Sequence, residues 1–307
     1  MQTPRRLQSG DRIALVAPAS PFSREEFDRG VAEVRRLGFE PVYDERVFAR
    51  DRYVAGSADV RAKAFRDAWS DRSIAAVVGV RGGYGSAQIL PLLDRDELQV
   101  AIKAFIGYSD LTALLTYLTT GCGIVAFHGP MIDRRLSHGA DGYDRASFER
   151  ALCVAEPMGE LAPPGLECVR AGEATGPLLG GTMTQLVASL GTQYAFDPPS
   201  RYVLFLDEVG ERPYRLDRMV TQLRQSGLLA QATAVVIGEL PRCDEPNGEL
   251  TGRAVMADLL RDFSGPVVIG FPSGHTIGPT FTLPFGVGCR VIAGAANRLV
   301  IEEAAVR

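Results

Sequence analysis

KAFIGYSDLTALLTYLTTGCG, residues 103–123, holds a strand, a sharp turn and a helix start in one short run. The apolar triplet Ala104-Phe105-Ile106 ends at Gly107, and Leu111, Leu114, Leu115 and Leu118 then recur at helical spacing. Tyr108, Ser109 and Asp110 stand between them. A strand that turns directly into a helix is the building unit of a parallel sheet, and the unit recurs on the N-terminal side. Ile13–Ala17 reads as a buried strand, and Ser23–Leu37 as a helix with Ser23 and Glu26 as its capping box and Gly38 as its stop. Pro41–Tyr43 reads as a short strand, Ala58–Trp69 as a helix, Ile74–Val80 as a strand buried on both faces, and Ser86–Leu93 as a short helix. Ile124–Phe127 adds a strand beyond the opening stretch. Continuous apolar strands alternating with helices predict an α/β fold with a doubly wound parallel sheet. Ligands of such sheets lie beyond the carboxyl ends of the strands.

Residues 132–172 change character. DRRLSHGADGYDRASFER is polar and APPGLE is rich in turn formers, which reads as an interdomain segment. A second α/β region follows, with a glycine-rich helix start at Gly180-Gly181-Thr182 and a strand at Tyr202–Leu206. Next come a helix at Pro213–Ser226 stopped by Gly227, a strand at Ala234–Ile237, a helix around Ala254–Asp262 and a strand at Val267–Gly270. The last forty or so residues read as β-hairpins. The expected organisation is a first domain over 1–135, a linker over 136–172 and a second domain of mixed strands and helices over 173–307.

A chain of 307 residues has material for two cores. A net charge of −4 gives no reason to expect nucleic acid or an anionic membrane as partner. No stretch approaches the roughly 20 apolar residues of a membrane helix, and the apolar run near the N-terminus, Ile13 to Ala17, fits a strand better than a signal peptide. Cytoplasmic residence is the default expectation. The five cysteines (Cys122, Cys153, Cys168, Cys243 and Cys289) are widely spaced without a CxxC pair, so reduced structural cysteines are expected rather than disulfides or a zinc site.

Ser109 stands where a strand-to-helix turn lifts a side chain clear of the sheet edge, the geometry of a nucleophile elbow, although GYSDL is not GxSxG. The other reading makes Ser109 or Asp110 a helix N-cap. VGVRGGYGSA, residues 78–87, ends the preceding strand with Gly82, Gly83 and Gly85. It lacks the GK[ST] of a phosphate loop and does not match GxGxxG, so it reads either as a tight turn or as a source of backbone donors for an oxyanion hole. Of three histidines, His138 lies in the polar segment and His128 ends a strand as a core or supporting residue. His275 sits in FPSGHTIGPT, a rigid loop that suits a general base. Asp207 and Glu208, paired at a strand end in LFLDEVGERPYRLDR, are the candidate acids to orient it, or else a solvated strand end. Arg81, Tyr84 and Arg242 are candidates for substrate carboxylates, with a surface role as the alternative.

VRGGYGSAQIL, FIGYSDLTALL, FHGPM, GGTMTQLVASLGTQY, LFLDEVGERPYRLDRMVTQL and SGHT occur in the order seen in the LD-carboxypeptidase family of serine peptidases, and the resemblance runs from Asp11 to about Arg298. The resemblance implies a flavodoxin-like N-terminal domain, a C-terminal domain, and a Ser–His–Glu triad shared between them. It makes Ser109 the nucleophile, His275 the base, and Gly83 and Asp110 the backbone donors of the oxyanion hole. It implies murein tetrapeptides as substrates, with D-alanine released in peptidoglycan recycling. One branch of the family instead hydrolyses peptidyl-nucleotide antibiotics of the microcin C type, and GERPYRLDR is closer to the murein branch. A non-catalytic binding protein of the same fold is the reading from a different class. Neither metal nor organic cofactor is implied, and a homodimer is the assembly considered. The family usually reads Glu-Asp where this chain has Asp207-Glu208. An ungapped count back from Asp217-Arg218 puts the triad acid on Asp207.

Overall fold

A computed structural model describes residues 1–307. Its strands, in chain order, are β1 (Arg12–Val16), β2 (Glu40–Val42), β3 (Ile74–Gly79), β4 (Ala104–Gly107), β5 (Ala126–His128), β6 (Pro157–Leu161), β7 (Glu167–Arg170), β8 (Gly172–Thr182), β9 (Tyr202–Asp207), β10 (Ala232–Gly238), β11 (Val267–Phe271), β12 (Leu283–Phe285), β13 (Gly288–Ala293) and β14 (Arg298–Ala304). The first sheet runs β12-β5-β4-β3-β1-β2. Its five N-terminal strands are parallel in the order β2-β1-β3-β4-β5, the doubly wound flavodoxin-like arrangement. β3, IAAVVG, is buried along its whole length because helices cover both faces of such a sheet.

The second sheet has eight strands in the order β6-β14-β13-β8-β9-β10-β11-β7. β8, β9, β10 and β11 are mutually parallel, and antiparallel strands flank them on both sides. The fold is therefore α/β, with a first sheet parallel in all but its edge strand β12 and a mixed second sheet. The two are joined by more than the chain. β12 leaves the C-terminal region to pair antiparallel with β5, setting Leu283 opposite His128. One continuous apolar cluster of 91 buried residues includes strands of both sheets, so they share a core.

Three local expectations are corrected. The capping box does not form: Ser23 makes no side-chain cap, and the Glu26 carboxylate that would complete the box accepts instead from the Ser137 hydroxyl and the Arg134 N–H. The short helix expected at Ser86–Leu93 is present, as a 3₁₀ helix over residues 86–92 with Pro91 inside it. The helix after Ser109 is regular only over Thr112–Thr116 and widens to a π turn over Tyr117–Gly121. The segment expected as a linker is structured. It holds a helix at Arg145–Cys153, with Phe148, Ala151 and Leu152 buried, followed by β6 and β7. No helix is long and apolar enough to cross a membrane. All five cysteines are free.

Candidate active site

β4 ends at Gly107, and three residues later the chain is helical. That reversal puts Ser109 at φ +64°, the left-handed region that a side chain with a Cβ enters only under strain. The loop after the neighbouring strand β3 passes directly over this corner. A Cβ on Gly82 would sit 2.9 Å from the Ser109 Cβ and 3.3 Å from the Asp110 nitrogen, so only glycine lets the two backbones come this close. The Gly82–Gly85 loop and the turn at Ser109–Asp110 thus face each other at the carboxyl edge of the first sheet.

The second sheet presents its own carboxyl edge to the same spot. Asp207 is the last residue of β9, and His275 lies four residues after β11. His275 Nε2 is 3.1 Å from Ser109 Oγ, and His275 Nδ1 is 2.7 Å from Asp207 Oδ2. The backbone N–H of His275 also donates to Asp207 Oδ1 at 3.1 Å. One carboxylate therefore holds both the ring and the main chain of the histidine, and the Thr182 hydroxyl reaches it from β8 at 3.3 Å. Asp207 has no exposed surface. Burial alone would raise its pKa, but the charge and hydrogen bonds of His275 outweigh it and hold the group below the ordinary carboxylate value. An ionised acid, an oriented imidazole and a hydroxyl in sequence are suited to drawing a proton from Ser109 during attack on a carbonyl.

Glu208 points elsewhere, as the alternation of a strand requires. Its carboxylate accepts from the Thr184 N–H at 2.8 Å, the Thr184 hydroxyl at 2.7 Å and the Val209 N–H at 3.0 Å, and so holds the first turn of the helix at Met183–Ser189. Burial raises its pKa. Arg81 Nη1 lies 3.4 Å from the buried Asp133 carboxylate, which ties it to the turn after β5. Tyr84 is half exposed, with its ring edge-on to Tyr53 at 5.5 Å. Asp110 contributes more than a backbone position, because its side chain accepts the Ser86 N–H at 2.8 Å. His138 pairs with Glu26 at 3.4 Å, away from Ser109. His128 is fully buried behind the site, with Nδ1 2.9 Å from the Ser273 hydroxyl. No group of three or more His, Cys, Asp or Glu residues is placed to hold a metal ion.

Two arginines matter here that sequence patterns did not reveal. Arg135 donates to the carbonyls of Gly274 (2.8 Å), Thr276 and Gly278 (both 3.2 Å), and its Nε to the Tyr108 hydroxyl at 3.2 Å. It thereby laces the loop carrying His275 to the residue before Ser109. Arg61 is buried beneath the glycine-rich loop. Arg61 left a trace in the sequence, since it shares the i, i+4, i+8 stripe of its helix with Phe65 and Trp69, an apolar face where a free cation has no place. Arg135 left none, lying in a polar run.

A doubly wound sheet with a serine at a strained strand-to-helix turn, meeting an imidazole and a buried carboxylate from a second sheet, is the architecture of a two-domain serine hydrolase. The chain belongs to the LD-carboxypeptidase family. Residues 13–129 match that family's N-terminal domain and residues 175–291 its C-terminal domain. A putative carboxypeptidase of Streptomyces coelicolor is 38% identical, over 92% of this chain and 91% of its own. The murein tetrapeptide carboxypeptidase of Pseudomonas aeruginosa is 30% identical, over 86% of this chain and 88% of its own. Among solved structures, the microcin C7 self-immunity protein MccF in complex with aspartyl sulfamoyl adenosine superposes with a TM-score of 0.90 at 22% identity. That match covers all of both chains, a likeness of fold.

Proposed function

We propose that the protein is a serine LD-carboxypeptidase that releases the terminal D-alanine of murein tetrapeptides during cytoplasmic peptidoglycan recycling. The observation that carries this reading is the hydrogen-bonded series Ser109–His275–Asp207, with spacings of 3.1 and 2.7 Å, in a chain 30% identical to a murein tetrapeptide carboxypeptidase. Ser109 Oγ attacks the carbonyl carbon of the L-centre as His275 Nε2 takes its proton. The Gly83 and Asp110 N–H groups receive the oxyanion. The C–N bond breaks, and the imidazolium returns the proton to the departing D-alanine amine, leaving an ester on Ser109. Water then gives a proton to His275 and attacks the ester, and the peptide leaves as a free acid while Ser109 recovers its proton. Arg81 and Tyr84 are the side chains assigned to bind substrate from the rim.

The test is mass spectrometry of purified protein incubated with a murein tetrapeptide, its L-alanine-ended isomer and an aminoacyl sulfamoyl nucleotide. Loss of alanine from the D-ended peptide alone is expected. Cleavage of the nucleotide conjugate alone would move the protein to the immunity-type reading. No turnover of any of the three, together with no labelling of Ser109 by a fluorophosphonate, would leave a non-catalytic binding protein.

A further inference from the structure

The glycine-rich loop has a problem that its sequence creates. Gly83 and Gly85 sit at φ +91° and +122°, which glycine permits, but glycine also leaves the loop free to leave that conformation. Donors to an oxyanion act only if already held about 3 Å from where the charge develops. Something else must hold the loop. Arg61 is 2% exposed. Its Nε donates to the Gly56 carbonyl at 3.0 Å, Nη1 to the carbonyls of Pro18 (2.6 Å) and Gly85 (2.7 Å), and Nη2 to the Gln88 amide oxygen at 2.6 Å. Those four acceptors are all neutral oxygens, and they belong to three separate segments: the loop after β1, the turn before the helix at Ala58–Ser70, and the glycine-rich loop with the 3₁₀ helix it leads into. A buried guanidinium is an expensive way to fill space. Its planar fork of five donors is, however, a good way to fix several carbonyls relative to one another.

The far side of the loop is fixed too. The Ser86 N–H donates to the Asp110 carboxylate at 2.8 Å, and the Ser86 hydroxyl donates to the Asp110 carbonyl at 2.6 Å. Asp110 is itself 2% exposed and directly follows Ser109. Gly82 to Gly85 is therefore strung between Arg61 and the nucleophile turn, with Ser20 of the loop after β1 reaching its first half: the Ser20 N–H donates to the Gly82 carbonyl at 3.1 Å and the Tyr84 N–H donates to the Ser20 hydroxyl at 3.0 Å.

We propose that Arg61 is a positioning residue of the reaction, which holds the Gly82–Gly85 loop at the distance from Ser109 that an oxyanion requires. This rests on the reading of Ser109 as nucleophile with Gly83 as an oxyanion donor. Arg61 touches no substrate, so its loss acts through the loop it holds, chiefly on the transition state through Gly83 and to a smaller degree on binding through Tyr84.

The experiment compares Arg61→Lys, Arg61→Gln and Gln88→Ala with the parent on the same D-ended tetrapeptide. Lysine keeps the charge but gathers its three donors on one nitrogen, against four acceptors spread around the three nitrogens of the guanidinium, and Gln88 is exposed, so its removal leaves a folded protein with one anchor fewer. Displacing a catalytic group by about 1 Å costs on the order of 10²-fold. Arg61→Gln should therefore lower kcat roughly 10- to 100-fold, with Arg61→Lys between it and the parent and Gln88→Ala about two- to fivefold down, all with KM within about threefold. Inhibition by a peptidyl boronic acid, whose tetrahedral oxygen occupies the same hole, should weaken in parallel with kcat. If Arg61→Gln fails to fold, the decision falls to the other two variants. Parent-like kcat in both, or a change confined to KM, overturns the proposal. Ser109→Ala is measured alongside. If it retains turnover, the reading of the site fails. If it is dead while the Arg61 variants run at the parent kcat, only the role of Arg61 fails.

Discussion

Ser109 and His275 stand 3.1 Å apart, yet the chain holds them in different ways. Ser109 is fixed by its own neighbours: the end of β4, one left-handed residue and the start of a helix leave its side chain a single direction. His275 lies in an irregular stretch between β11 and β12, and distant residues hold it there. Asp207 grips its ring and its N–H, Arg135 gathers the carbonyls on either side, and the Ser273 hydroxyl donates to Phe281 across the loop. A locally defined turn can lose its functional side chain and keep its shape. A loop defined from afar loses its alignment when any support is disturbed. The two regions should therefore respond to mutation in different ways.

The largest effect is expected at the turn. Ser109→Ala should lower kcat by about 10⁶-fold, as for triad nucleophiles elsewhere, with an unchanged melting temperature because no core cavity opens. Ser109→Gly should be equally inactive yet more stable by about 1 kcal/mol, since glycine relieves the left-handed strain. Calorimetry and turnover on the two variants check this pair. A destabilised Ser109→Gly would show that the turn is not strained and would remove the contrast with the loop.

Next come the acids. Asp207→Asn should cost about 10⁴-fold in kcat, because a neutral partner neither orients the imidazole nor stabilises its charged form. Glu208→Gln keeps shape and can still accept from Thr184, so kcat should stay within about tenfold. Its effect should appear instead as a loss of roughly 1 kcal/mol of stability. An inactive Glu208→Gln beside an active Asp207→Asn would reverse the assignment.

Gly274→Ala probes the loop with the smallest possible change. Gly274 has φ +82°, and a Cβ there would lie 2.5 Å from Asp207 Oδ2 and 2.6 Å from His128 Cε1. The backbone next to His275 must shift, and a misplacement near 1 Å predicts roughly a 10²-fold fall in kcat with the nucleophile and acid both intact. If kcat stays within about threefold, the loop is less tightly held than its contacts indicate.

These regions also differ in what the sequence could reveal. A turn built from adjacent residues is visible in FIGYSDL, and the parity of a strand says that Asp207 and Glu208 face different ways, with the count back from Asp217-Arg218 needed to choose between them. Features set by distant contacts were not visible. β8, GEATGPLLGGT, did not read as a strand because its last glycines read as a helix start, yet a Cβ on Gly180 would strike the Phe205 carbonyl of β9 at 1.9 Å. β6 pairs with β14 at the far end of the chain, and no local pattern in a polar stretch foretells that. The capping box at Ser23 failed for the same reason, because a better partner for Glu26 arrives from residue 137. Arg135 lies in a polar run, and nothing local to it shows the loop that folds against it.

The smallest effect on activity, and the last test, belongs to His128. The Ser273 hydroxyl donates to the Phe281 carbonyl, so it must accept from His128 Nδ1–H, and the Nε2 lone pair is then left buried without a donor. The ring stacks on Phe285 at 5.2 Å. Burial lowers its pKa from 6.5 to about 4, against the pull of the Asp207 carboxylate. The unfolded chain takes up this proton below pH 6.5, and the folded protein only near pH 4. Stability must then fall as pH drops through that window, by about 2 kcal/mol on reaching roughly pH 5, given 1.36 kcal/mol per pKa unit. The raised pKa of Glu208 works in the opposite sense, but it is common to parent and variant and cancels in the comparison. In His128→Gln this share of the acid sensitivity should vanish, while the acidic limb of the pH–rate profile should stay where it is. Urea midpoints near pH 7.5 and pH 5, measured beside the rate profile, separate the two histidines. If parent and His128→Gln lose equal stability on acidification, His128 is not a buried neutral ring. If the acidic limb moves with His128, the base has been assigned to the wrong side of the site.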